Sequence, residues 1–319
     1  MKIFIRKLVN FFGILAAFIL AGVFMPATPR ASTSHMFGKL KMDSLLKNVP
    51  PPRLILLGGS NLSLTINSHL LKDSLHVNPI NTAISWNIGF VYMFENTLKY
   101  LRPGDVVVAS IEYNQFFDGA MYGGHDLVRT IFDVAPGEFA DLRLRQYLNM
   151  IPHIPAYALS KFKPREYFFK RDPLEIYDRN STNEFGDNCK HWTLPGRTVR
   201  PEPRLPGSYD LRAFEALKRY ESAIRQKGGT LLITFPALQE ESFEADFTSI
   251  KAIEKEIMSR DFVVVGYPER YVMPDTLIFD TPYHLIKAGV DLRTELLIED
   301  IRSALHSTTR PLDGRAAIR

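Results

Sequence analysis

From about residue 53 to residue 305 the chain alternates short, continuous apolar runs with longer stretches whose apolar positions recur at helical spacing. The runs RLILLG (53–58), GDVVVASIEY (104–113), GGTLLITFP (228–236) and DFVVVG (261–266) are of strand length and rich in β-branched residues, the pattern of strands buried on both faces. Between them, residues 62–75, 90–101, 211–227, 247–260 and 287–305 read as helices. Ile250, Ile253 and Ile257 mark the face that one of these helices turns toward a sheet. Such alternation predicts an α/β fold: a parallel sheet with right-handed crossovers.

Residues 116–206 break the rhythm, with many aromatics, prolines and charges but no clean buried strand. They read as an insertion, its first half helical with proline interruptions and its second half loop-like. A lid or substrate wall and a plain surface decoration are both open readings.

At the N-terminus Lys2, Arg6 and Lys7 precede an apolar stretch, 8–24, broken only by Asn10 and glycines. Roughly 17 apolar residues is the lower limit for a bilayer span, so residues 1–25 read as an export or anchoring segment. The candidate cleavage sites before Thr28 or Ser32 would put Met25 or Pro29 three residues before the cut, where a small residue is wanted. An uncleaved signal anchor is therefore favoured over a cleaved signal peptide. The basic flank keeps the N-terminus in the cytoplasm. The expectation is a single-pass protein of the cytoplasmic membrane with its C-terminal domain outside; the alternative is a secreted or periplasmic protein after cleavage. Residues 26–52, ending VPPPR, read as a linker, 53–306 as the domain and 307–319 as a tail.

Composition adds exclusions. With 319 residues, 45% of them hydrophobic, the chain can build a real core. Its 39 basic and 35 acidic residues are interleaved, and a net charge of +4 is too mild to indicate nucleic acid. The single cysteine, Cys189, cannot form an intramolecular disulfide. His125 with Asp126, and His153, lack the clustered spacing of a zinc site, so neither metal nor cofactor is expected.

Candidate chemistry starts at Gly58-Gly59-Ser60, directly after the first strand, where open α/β sheets bind ligands. Alone this is ordinary turn or helix-cap material. A serine nucleophile needs a base and the base an orienting group. His284 in FDTPYHLIKAG lies just before the last helix, with Asp280 close behind it. By itself that pair also reads as a structural turn.

Together the two stretches resemble the first and last blocks of the SGNH, or GDSL-like, hydrolase superfamily, over about residues 53–305 without the insertion. More narrowly, GGSNLSLTIN, GDVVVASIEY, EFGDN and DTPYHL resemble an exported branch akin to the proteins of teichoic-acid D-alanylation and alginate acetylation. The resemblance implies a three-layer α/β/α, flavodoxin-like sheet and a catalytic set of Ser60, His284 and Asp280. It also implies an oxyanion hole from the Ser60 and Ala83 amides and the Asn114 side chain, with Gly89 as an alternative donor. Three departures stand out: Gly59 replaces the usual aspartate, Ala83 replaces the block-two glycine, and Asp280 to His284 is one residue longer than Asp-x-x-His. A dyad supported by another group, such as Tyr283, is a further option.

The implied activity is that of a serine esterase or O-acyltransferase, acting on acyl esters of a cell-envelope or exported polysaccharide. A membrane-bound acyltransferase is a candidate partner. Tyr157, Tyr167, Phe168, Phe169 and Trp192 could stack on sugar rings or form a satellite core. The contrasting expectation is an inactive SGNH-like protein that binds glycan or assists a membrane acyltransferase. A lipid or lipoprotein esterase, with a wide apolar groove near Ser60, is a third.

Overall fold

A computed structural model describes residues 1–201 and 204–308, with side chains through residue 304. Five parallel strands form the central sheet: β1 (Arg53–Gly58), β2 (Asn78–Asn81), β3 (Val106–Ser110), β4 (Thr230–Thr234) and β6 (Val263–Val264). Their order is β2-β1-β3-β4-β6. β1 pairs with β2 on one side and β3 on the other, Ile55 standing opposite both Ile80 and Val107. A two-stranded parallel ribbon, β5 (Leu238–Gln239) with β7 (Val272–Met273), lies apart.

Strand alternation divides the core in two. Ile55, Leu57, Val107, Ala109, Leu231 and Ile233 face one layer of helices: α2 (Gly38–Asn48), α5 (Phe90–Tyr100), α9 (Leu211–Gln226) and α11 (Phe247–Met258). Leu54, Leu56, Val108 and Leu232 face the other: α3 (Ser60–Ser63), α4 (Ser68–Leu75) and α12 (Lys287–Thr308). The result is the three-layer α/β arrangement expected from the alternating pattern. The expected helix at 62–75 is two helices, because the chain leaves helical geometry between Ser63 and Ser68.

The insertion carries α6 (His125–Arg129), α7 (Leu144–Met150) and α8 (Ile154–Ser160), with Pro152 and Pro155 at the junction of the last two. α10 (Glu240–Ala245) follows β5. α1 (Lys2–Phe24) is apolar and long enough to cross a membrane. Residues 26–52 differ from a linker: two 3-10 turns and α2 pack on the domain, burying Met36, Met42 and Leu46 in its main core. The polar composition that suggested a linker hides a helix whose charges are paired, as when Lys39 donates to Asp43 at 2.5 Å. The expected tail lies outside the described residues from 309 onward.

At the amino end of the sheet, Arg53 is 1% exposed and its guanidinium reaches the Asp105 carboxylate, the Leu46 carbonyl at 2.6 Å and the Tyr100 carbonyl at 3.0 Å. This one buried ion pair ties β1, the start of β3, α2 and α5 together.

Candidate active site

Beyond the carboxyl end of β1 the chain turns at Gly58 and Gly59 into the one-turn helix α3, with Ser60 at its first position. Neither glycine is there for a left-handed backbone; close approach excludes a side chain. A Cβ on Gly58 would lie 2.6 Å from the Ser110 carbonyl oxygen. A Cβ on Gly59 would collide with the Glu112 carboxylate and sit 2.7 Å from the Trp86 amide nitrogen. Position 59 therefore has no room for any side chain. Asn61 pins the turn to β3, its side-chain amide donating to Ser110 Oγ at 3.0 Å. Its backbone N–H donates to Glu112 Oε1 at 3.1 Å.

The second half of the site is a tight loop before α12. Ile278 and Leu285 form an antiparallel bridge, and Phe279 N–H donates to the His284 carbonyl at 2.8 Å. The Gln239 N–H donates to the Pro282 carbonyl at 2.9 Å, fastening this loop to the segment leaving β4. The geometry brings Asp280 and His284 together despite the extra residue: His284 Nδ1 lies 2.7 Å from Asp280 Oδ1. His284 is 4% exposed. With Nδ1 engaged, Nε2 is the nitrogen left to face another group.

Tyr177, from the insertion, donates its hydroxyl to Asp280 Oδ2 at 2.8 Å and stands 3.3 Å from His284 Nδ1. Burial pushes the Asp280 carboxyl up, but the His284 hydrogen bond and charge and the Tyr177 hydroxyl outweigh it and hold it below the usual carboxylate range. Burial and then the Asp280 charge push the Tyr177 phenol well above its ordinary value, so it stays a donor. The tyrosine that contacts the pair is Tyr177, whereas Tyr283 packs into the main core.

Leu64, four residues after Ser60, shares a small apolar cluster with Phe279, the residue before Asp280. Ser60, beyond the carboxyl end of β1, and the Asp280–His284 loop therefore lie on neighbouring segments. No hydrogen bond joins the half-buried Ser60 hydroxyl to His284 among the described residues. Beside the pair opens a cavity of about 420 Å³ lined by Tyr177, Phe279, Asp280, Asp172, Glu175 and Arg197, among others.

The expected oxyanion donors are not gathered as expected. The Ala83 N–H is already bonded to Asn81 Oδ1 at 3.1 Å, and the Gly89 N–H to the Trp86 carbonyl at 2.9 Å. Asn114 lines a separate hollow with Tyr283 and Ser242, its buried Oδ1 having no hydrogen-bond partner among the described residues. From the end of β3 it is Glu112 that reaches the serine turn. Between Ala83 and Gly89 in sequence, Trp86 brings its backbone amide against Gly59, a contact that nothing in the local sequence marks.

EFGDN has a structural task. Asp187, fully buried, accepts from Ser68 N–H at 2.8 Å, Ser68 Oγ at 2.7 Å and Asn81 Nδ2 at 2.9 Å. Asn188 N–H donates to the Ser63 carbonyl at 2.8 Å, strapping the insertion to the helix that begins with Ser60. Against Phe279 lies His191, 0% exposed, the two rings 5.1 Å apart. Burial, then the His284 charge, lowers its pKa to about 4. Of the candidate stacking aromatics, Tyr157 is buried and donates to Asp133, and Trp192 packs in a satellite cluster. Tyr167 and Phe168 are exposed.

No protein-family model matches this chain, and no curated protein matches it.

Proposed function

We propose that the chain is an extracytoplasmic serine esterase or O-acyltransferase of the SGNH type, acting on acyl esters of a cell-envelope or exported polysaccharide. The observation that carries this reading is the His284 imidazole, hydrogen-bonded through Nδ1 to an Asp280 that Tyr177 also holds, on a segment neighbouring the one that carries Ser60. The N-terminal apolar helix supports a location at the membrane, where glycans and lipids are the available esters.

In this mechanism Ser60 Oγ attacks the ester carbonyl while His284 Nε2 takes its proton, and Asp280 stabilises the imidazolium through Nδ1–H. The tetrahedral oxygen faces the Ser60 amide, one of the donors a helix start leaves unpaired, and the neighbouring Trp86 amide. Collapse breaks the ester bond, and His284 returns the proton to the leaving alkoxide. Water or a sugar hydroxyl then attacks the acyl-serine with His284 again as base, releasing acid or a new ester. Substrate binding must bring Ser60 Oγ within hydrogen-bond reach of Nε2. The test is p-nitrophenyl acetate turnover by the detergent-solubilised full chain. A burst of nitrophenol that disappears in Ser60→Ala and His284→Ala supports the mechanism; equal turnover in all three refutes it.

The missing Ser60–His284 hydrogen bond favours a second reading, a non-catalytic protein that binds glycan or assists a membrane acyltransferase. Glycan binding by the full chain, unchanged in Ser60→Ala and without a burst, would select it.

A further inference from the structure

The anchor helix does not stand clear of the domain. Leu15, Ile19, Gly22 and Val23 are the partly or fully buried positions of the C-terminal half of α1, one face at helical spacing. That face lies on α8 of the insertion. Gly22 approaches so closely that a Cβ there would lie 2.7 Å from the Ala158 carbonyl carbon. Small residues at a close helix crossing are the packing device of helices in lipid. Phe18 meets Phe162 edge to face at 5.5 Å, and Lys161 Nζ donates to the Pro26 carbonyl at 3.1 Å.

These contacts fix a depth. The 23 residues of α1 measure roughly 34 Å at 1.5 Å per residue, against about 30 Å for a hydrocarbon core. With the basic end of α1 in one headgroup layer, Gly22 and Phe24 reach the opposite one. α8, lying along the last turns of α1, is then carried to the level of the outer leaflet.

What α7, α8 and the turns around them expose suits that place. Leu144 is 73% exposed, Ile151 56% and Phe168 84%, with Leu148 and Leu159 also open. Arg145, Lys163 and Lys170 are exposed along the same stretch, while Arg143 and Arg171 pair with Glu95 and Asp178, and Glu166 is the sole acid in the sequence between residues 142 and 171. Apolar side chains with a basic rim are the chemistry of an element lying in an anionic lipid interface.

We infer that residues 144–170 form a membrane-interface platform, seating the domain on the outer leaflet of anionic lipid beside its own anchor helix. This rests on α1 lying in a bilayer. The site is tethered to the same platform: Arg30 N–H donates to the Glu166 carbonyl at 3.1 Å and His35 N–H to the Tyr177 carbonyl at 2.8 Å. Tyr177 in turn holds Asp280. The candidate site would thereby be held near the lipid surface.

The test places a nitroxide on the full chain in phosphatidylcholine–phosphatidylglycerol vesicles, one position at a time, in a Cys189→Ser background. Phe168→Cys and Ile151→Cys report the platform, Ile14→Cys the anchor and Lys255→Cys, exposed on α11, the aqueous domain surface. Accessibility to oxygen relative to a water-soluble nickel complex is the readout, with thermal unfolding confirming the fold of each variant. A ratio at 151 and 168 several-fold above that at 255, and lower again in phosphatidylcholine alone, is expected. Lipid-like values at 14 with water-like values at 151 and 168 overturn the platform. Water-like values at 14 overturn the anchoring on which it rests.

Discussion

The two ends of the central sheet treat buried polarity in opposite ways. At the amino end, Arg53 and Asp105 are both buried, and neither leaves a buried polar atom without a partner. At the carboxyl end, Asn61 Oδ1 after β1 and Asn114 Oδ1 after β3 are buried with no hydrogen-bond partner among the described residues. Unsatisfied buried polar groups cost about 1–3 kcal/mol each, so a fold keeps them where something else is gained. The amino end is closed by a fully paired ion pair, whereas the carboxyl end, the side on which open α/β sheets bind ligands, keeps unpaired polar atoms in its interior.

The largest effect separating the two ends should come from Asp105→Leu. Breaking a buried pair by removing one partner costs about 3–5 kcal/mol, measured by urea unfolding. Serine reactivity of the protein that remains folded should be unchanged.

Acid should act next, through His191. Its folded pKa of about 4 lies below the ordinary 6.5, so the neutral ring contributes stability that is present above pH 6.5. That contribution is lost as pH falls from 6.5 toward 4, to the extent of on the order of 3 kcal/mol. Asp280, also depressed, adds a loss at still lower pH, as the medium falls below its unfolded value of 3.8. Unfolding free energies of wild type and His191→Phe across pH 4–7 check this, the variant giving the flatter profile in that window.

The sequence made the closed part of the molecule readable and the open part only in fragments. β1 begins and ends where its apolar run does, because a strand buried on both faces leaves a continuous signal. β2 was hidden, since NPIN is a four-residue edge strand containing proline. Ser60, Asp280 and His284 stood out as residue types at strand and helix ends. Tyr177 could not, because its role depends on an insertion folding back from more than a hundred residues away in sequence. Ala83 and Asn114 are set by local surroundings that the sequence does not show: the Ala83 N–H is taken by Asn81 Oδ1, and Asn114 lines a separate hollow.

Gly59→Ala should sharpen the contrast from the open end. Its methyl would press on the Glu112 carboxylate and the Trp86 backbone, and such overpacking costs about 1–3 kcal/mol. Unlike Asp105→Leu, it should also reduce serine reactivity by displacing Ser60. The smallest change expected is in Tyr177→Phe, which removes one hydrogen bond to a charged carboxylate. That is worth about 1.5 kcal/mol, or roughly tenfold in the rate of a reaction that depends on the oriented imidazole. A stopped assay of nitrophenol release at several pH values would read it, the alkaline plateau falling while the unfolding midpoint moves little.

The most direct measurement is mass spectrometry of the full chain after treatment with a fluorophosphonate. The expected result is a single adduct on Ser60 that is absent in His284→Ala. Unmodified Ser60 in the folded wild-type protein, or equal modification with and without His284, would contradict a serine activated at the carboxyl end of the sheet.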